Sequence, residues 1–194
     1  MSLILDGSLG VTVDAGTAAL PAVVSATGTA DTGLWFPAAD TVAASTAGTE
    51  RMRIDSSGNV TTPFQTGFIA KGLAAQTTYT AGQVVVFNSA SYNVGSGYNT
   101  ANGRFTAPVT GLYSFTYQIY LNPGNGNAPL AFYKNGVMDI FFLQNVAING
   151  IGLSTLIYLS TSDYVEVQVR NTGGASATIF HGTDHTQFTG YLIG

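Results

Sequence analysis

From Leu112 to Leu121 the chain alternates without a break: Tyr113, Phe115, Tyr117, Ile119 and Leu121 on one side, Ser114, Thr116, Gln118 and Tyr120 on the other. Only a strand puts every second residue on one face, so this segment demands a sheet with one buried side. The demand recurs at Tyr164–Arg170, where Val165, Val167 and Val169 alternate with Tyr164, Glu166, Gln168 and Arg170. Between them, Leu130–Lys134 and Val137–Phe142 flank Asn135-Gly136, a pair that tolerates the positive φ angles of a tight hairpin. Further strands are predicted at Val84–Phe87, Leu153–Leu159 and Gln187–Ile193. No segment sustains apolar spacing of three and four residues, so helices are not expected. The fold class this predicts is all-β, with a two-sheet sandwich in the C-terminal part.

Charge narrows the partners. Charged residues make up only 8% of the chain, against about a quarter in ordinary soluble proteins. Such a shortage points to obligate assembly, because subunit interfaces are depleted in charge. Residues 1–66 carry six acids (Asp6, Asp14, Asp31, Asp40, Glu50, Asp55) against two bases, Arg51 and Arg53, and the remainder is balanced. Neither part has the basic stripe that phosphate binding needs, so nucleic acid is not an expected partner. With no cysteine there is neither a disulfide nor a thiolate metal site. The first six residues carry no basic region and their apolar run stops at Asp6, which is not a secretory signal. Ile140 to Ser162 is uncharged and long enough to cross a bilayer. Gln144, Asn145, Asn149, Gly150, Gly152, Ser154 and Thr155 argue instead for two strands joined by a polar turn, without membrane insertion.

Candidates for chemistry are few. His181 and His185, with Asp184 between them, form the one cluster that could hold a metal, but zinc-binding histidines four apart need a helix to share a face. A polar loop between strands is the expectation, with one route left open: three symmetry copies of a histidine near an axis. No Gly-x-Ser-x-Gly elbow accompanies the histidines. Of the acids Asp139, Asp163, Glu166 and Asp184, Glu166 reads as an outward, solvated strand residue and Asp163 as a turn acid. Neither catalysis nor a cofactor is expected.

Three segments are expected: an extended arm over 1–30, a small β-hairpin stalk or anchor module over 31–66, and a sandwich knob over 67–194. In the knob Phe105, Tyr113, Phe115, Tyr117, Phe188 and Tyr191 are assigned to core or subunit packing. Tyr92, Asn93, Tyr98 and Asn99 are candidates for ligand-facing loops, such as loops that contact a sugar.

The run Phe87 to Ile119, with Phe87-Asn88, Tyr92–Tyr98, Gly103-Arg104-Phe105-Thr106-Ala107-Pro108 and Gly111-Leu112-Tyr113-Ser114-Phe115, resembles the globular head domain of complement C1q and its tumour-necrosis-factor-like relatives. Tyr133-Lys134-Asn135-Gly136, Leu159 to Val167 and Phe188-Thr189-Gly190-Tyr191-Leu192-Ile193 continue the resemblance in the family's order. It implies a two-sheet jelly roll assembled as a homotrimer. Asp31–Val60, through Gly33-Leu34-Trp35-Phe36-Pro37, Ala39-Asp40-Thr41 and Gly48–Asp55, is similar to a module of phage tail-fibre and other virion proteins. That likeness implies a virion structural protein made in the bacterial host cytoplasm and placed on the particle surface. The expected role is capsid decoration or cementing. Residues 1–60 would contact the major capsid protein or another virion protein, with Leu3, Ile4, Leu5, Trp35 and Phe36 as attachment residues. The alternative is a tail-fibre or tail-tip protein that recognises a host surface glycan or protein.

Overall fold

The computed structural model describes residues 4–6, 10–25, 29–75, 77–121, 130–141, 150–170, 176–182 and 185–194. Two compact units emerge, Met1–Phe64 and Gln65–Gly194, and every regular element among the described residues is a strand.

In the C-terminal unit the long alternating strand is Gly111–Tyr120. It lies between Gln187–Leu192 and Gly150–Leu159, and the sheet continues through Gly67–Lys71 to Ser89–Val94, all antiparallel. The second sheet runs Tyr98–Asn99, Arg104–Thr106, Tyr164–Val169, Leu130–Lys134, Val137–Phe141. The two face each other across a core of fully buried aromatics: Phe68, Phe87, Phe105, Tyr113, Phe115, Tyr117, Phe132 and Phe188. Phe68 stacks on Tyr98 and Phe105 at 4.8 and 5.0 Å, and meets Phe188 edge-on at 4.8 Å. Gly190 makes this density possible, since a Cβ there would lie 2.5 Å from the Phe68 ring and 2.6 Å from that of Phe115. The buried tyrosines keep their hydroxyls satisfied: Tyr113 donates to Val109 C=O at 2.7 Å and Tyr117 to Leu130 C=O at 3.1 Å.

Asn135 and Gly136 sit at φ 51° and 78°, as the predicted hairpin requires. The predicted strand Val84–Phe87 needs correcting. It contributes one bridge, Val84 to Gln168, and not a ladder. The reason is a shared edge. Arg104–Thr106 pairs with residues 164–166 of Tyr164–Val169, leaving only the far half, where Val85 N–H donates to Val167 C=O and Val169 N–H to Gln83 C=O. The uncharged stretch is divided between sheets: Ile140 and Phe141 end the strand Val137–Phe141 of the second sheet and Gly150–Leu159 belongs to the first, while residues 142–149 lie outside the described residues.

The N-terminal unit is a five-stranded antiparallel sheet, Val23–Val24, Gly33–Trp35, Val42–Thr46, Thr49–Ile54, Val60–Thr61, with a separate pair formed by Ile4–Asp6 and Gly10–Thr12. The expected division at residue 30 therefore cuts a ladder, because Val23–Val24 pairs with Gly33–Trp35. Far from extending freely, residues 15–22 are tied to the sheet. Phe36 N–H donates to Ala15 C=O at 2.8 Å, Gly16 bridges to Pro21, and Pro21 and Ala22 are buried.

Candidate assembly face

The outer faces of the two sheets in the C-terminal unit differ in kind. On Gly111–Tyr120 the side chains that turn away from the core are Leu112, Ser114, Thr116 and Gln118. Register carries that face across the sheet: Leu112 stands opposite Tyr158, and Ser114 opposite both Leu156 and Tyr191. Thr189 stands opposite Ile69, which in turn faces Tyr92. One half of the face is therefore Tyr92, Ile69, Tyr191, Leu156 and Tyr158, with Leu156 and Tyr158 58% and 59% exposed. The Tyr92 and Tyr191 rings lie 6.1 Å apart. Gly67, opposite Tyr191, leaves the space in which that ring lies, because a Cβ there would be 2.5 Å from Tyr191 Cδ1. The other half is neutral and internally bonded: the Thr116 and Ser154 hydroxyls are 2.8 Å apart, and Gln187 Nε2 donates to Gln118 Oε1 at 3.3 Å. Lys71, at one corner, is the single charged residue in all five strands.

The second sheet holds Arg104, Glu166 and Lys134 in closed sets, and Asp139 stands exposed on its edge strand. Glu166 does point outward as its alternation predicts, but it is only 1% exposed, which corrects the solvated reading. Its Oε2 accepts from Arg104 Nε at 2.6 Å and its Oε1 from Gln168 Nε2; the Arg104 guanidinium in turn lies 4.3 Å from the centre of the Tyr164 ring. At the hairpin end, Asp163 accepts from Asn135 Nδ2 at 2.7 Å, from Ser160 N–H at 2.9 Å and from Lys134 Nζ at 3.1 Å. Those donors, the Asn135 amide first, hold its carboxyl down at about 2. Such a clamp is structural.

Of the predicted packing residues, Phe105, Tyr113, Phe115, Tyr117 and Phe188 are all core, while Tyr191 stands on the outer face of the first sheet. The four loop candidates divide. Tyr98 is buried with its hydroxyl donating to Phe87 C=O, and Asn93 is engaged by both the N–H and C=O of Tyr98, so neither faces a ligand. Asn99 accepts from Ala101 N–H within its own turn, and Tyr92 belongs to the apolar half-face. His185 lies beside the Tyr120 and Phe180 rings at 5.4 and 6.2 Å; His181 is exposed and its C=O accepts from Leu73 N–H. Asp184 lies outside the described residues, among which no group of three His, Cys, Asp or Glu could hold an ion.

Leu3 likewise lies outside the described residues, and Ile4 and Leu5 are placed only by their pairing with Thr12 and Val11. Trp35 turns out to be an inward residue. It shares a face with Ala43, Ser45 and Arg53, its indole Nε1 is buried without a partner, and Arg53, bonded to Glu50 at 2.8 and 2.5 Å, stands 5.8 Å from its ring. Phe36 remains half-exposed.

Leu156, Tyr158 and Ile69 are face residues that no expectation from the sequence names. The signal was present: Leu156-Ile157-Tyr158-Leu159 is apolar on both sides of an antiparallel strand, which is expected only where both sides become covered.

Two five-stranded antiparallel sheets packed face to face, with Gly67–Lys71 and Gln187–Leu192 side by side, define a jelly-roll sandwich of the tumour-necrosis-factor type. The family profile of the C1q domain matches residues 67–193, and the chain belongs to that family. Mouse multimerin-2 is 47% identical over 53 residues, which are 27% of this chain and 6% of that protein. Human complement C1q and tumor necrosis factor-related protein 9A is 29% identical over 114 residues, 56% of this chain and 33% of its own length. The chain thus spans a third or less of these curated relatives. Among solved structures, the globular domain of zebrafish complement 1qA protein aligns with a TM-score of 0.55 at 17% identity, covering 67% of this chain and 98% of that one. Murine APRIL aligns at 0.53 and 12%, covering 66% and 99%. At such identities the likeness concerns the fold alone.

Proposed function

We propose that the chain is a non-enzymatic, homotrimeric structural protein on the surface of a tailed-bacteriophage particle. Its N-terminal unit attaches it, and its C1q-family unit serves as a knob that decorates or cements the capsid. The observation that carries the assembly is the outer face of the first sheet, where Tyr92, Tyr191, Leu156 and Tyr158 are open to water beside half-buried Ile69 and Lys71 is the lone charge. An exposed apolar patch of this kind marks a surface that meets another protein. The phage setting is supported by the likeness of Asp31–Val60 to a virion module. A structural role is supported by two acids of the knob: Glu166 is held by Arg104 and Gln168, and Asp163 by Asn135 and Lys134.

Two measurements test the proposal. Sedimentation equilibrium of the purified full chain is expected to give three times the subunit mass; a single subunit at micromolar concentration would end the trimer assignment. Antibody labelling of intact particles is expected to mark the capsid shell. Label confined to the tail would replace decoration by host recognition, and no label at all would remove the virion role.

A further inference from the structure

The N-terminal sheet has a second face, and it is open. Ladder partners place Val23, Leu34, Ala44 and Met52 in one row across it, and Val42, Ile54 and Val60 in the next. All seven are apolar. Val23, Leu34, Met52, Ile54 and Val60 are exposed, from 37% at Ile54 to 62% at Val60, and Val42 and Ala44 are half-buried, while the opposite face holds buried Ala43 and Ser45 with Trp35, Arg53 and Glu50. No charged side chain belongs to either open row.

We infer that this face is filled by the same face of two further copies of the chain, so that three N-terminal sheets pack about a common axis. The inference rests on the trimer proposed above. Two observations select copies of this chain over a foreign partner. The first is size. The exposed apolar surface is on the order of 500 Å² per copy, large for a face meant to stay in water yet below the roughly 800 Å² per partner of a stable two-body interface. By itself it would hold a free partner poorly. The second is the tether. The N-terminal unit ends at Phe64, and Gly67 already begins a strand of the assembly sheet, anchored by Gln65 Nε2 donating to Leu192 C=O and Leu192 N–H to Thr66 C=O. Three copies joined through that sheet therefore hold their N-terminal units at millimolar effective concentration, where a modest interface closes. The absence of charge fits a contact about an axis, where like side chains meet one another and any charge would face its own copies.

The chain contains no cysteine, so a single introduced thiol reports on one position. In the full chain, Met52→Cys is expected to react with a disulfide reagent about tenfold more slowly than Ser56→Cys in the neighbouring exposed turn, since thiol reactivity follows access. Added to the assembly-breaking change Leu156→Glu, the two rates should converge to within about twofold. Val60→Cys, a near-isosteric change on the same face, repeats the comparison should Met52→Cys fold badly. If the chain sediments as a trimer but Met52→Cys and Val60→Cys react as fast as Ser56→Cys, the inference fails and the trimer stands. If it sediments as a single subunit, both fail. Slow reaction that persists in the separated subunits also overturns the inference, because the occupant would then not be another copy.

Discussion

The two sheets of the sandwich share one core but were given opposite outer faces. Inward, both offer the same material, from Phe115, Tyr117 and Phe188 on one to Phe105, Phe132 and Val167 on the other. Outward, the first sheet has one charged residue and leaves Leu156 and Tyr158 in water. Four charged residues fall in the second sheet's strands; Arg104 and Glu166 close on each other, and Lys134 closes on Asp163 in the adjoining turn. The difference teaches that the inner faces settle the fold while the outer faces settle what the fold meets. The second sheet satisfies its buried charge, Glu166, within the subunit. In the proposed trimer the neutral one is completed by its copies.

Breaking the self-sufficient sheet should have the largest effect. Arg104→Met leaves Glu166 buried beside Gln168 with its cationic partner gone, and unfolding free energy is expected to fall by about 2–3 kcal/mol. That is less than the 3–5 expected of a fully enclosed pair, because the Arg104 side chain is 40% exposed and water can reach the site. Denaturant melts would measure it. The double change Arg104→Met with Glu166→Met should recover most of the loss, since two apolar side chains no longer strand a charge. Neither variant should alter the sedimenting mass. A change of mass would mean that the second sheet also serves assembly.

Leu156→Glu makes the converse break. It sets a charge in the middle of the neutral face, and the expected result is an association constant lowered by about 100-fold, or roughly 2.7 kcal/mol. Stability of the separated subunit should change by less than about 0.5 kcal/mol, because Leu156 makes no part of the core. An equally large loss of subunit stability would erase the contrast between the two sheets.

Much of this contrast could be read from the sequence where the period was clean. Tyr113 to Ile119 and Val165 to Val169 announced their inner faces, and Asn135-Gly136 its turn, because both signals are local. What could not be read depended on distant residues. Glu166 faces the way its alternation says, yet its burial and its partner come from Arg104, 62 positions earlier. Tyr98 lies in a polar stretch that reads as a loop, and only stacking on Phe68 turns it into core. Trp35 looked like an anchor for a neighbour; Ala43 and Arg53, brought alongside by two ladders, make it part of a small interior. Val23–Val24 sits in an Ala- and Thr-rich segment with no period to show that it joins a sheet.

The smallest effect expected is a response to acid at the hairpin corner of the second sheet. The donors Asn135 Nδ2, Ser160 N–H and Lys134 Nζ hold the Asp163 carboxyl at about 2, below the ordinary 3.9 or so of an unfolded chain. A folded pKa lower than the unfolded one adds stability that is fully present above the unfolded value and is lost as pH falls through the folded one. The melting temperature should therefore lose a component between about pH 4 and pH 2, and Asp163→Asn should lack that component while melting lower than the parent at neutral pH. Because the site is open to solvent, added salt should shrink the difference. The neutral sheet has no carboxylate in its strands to respond in that range. Acid should therefore loosen the clamp before it loosens the Leu156 face, and mass measured across the same titration would show whether the two sheets part company in that order.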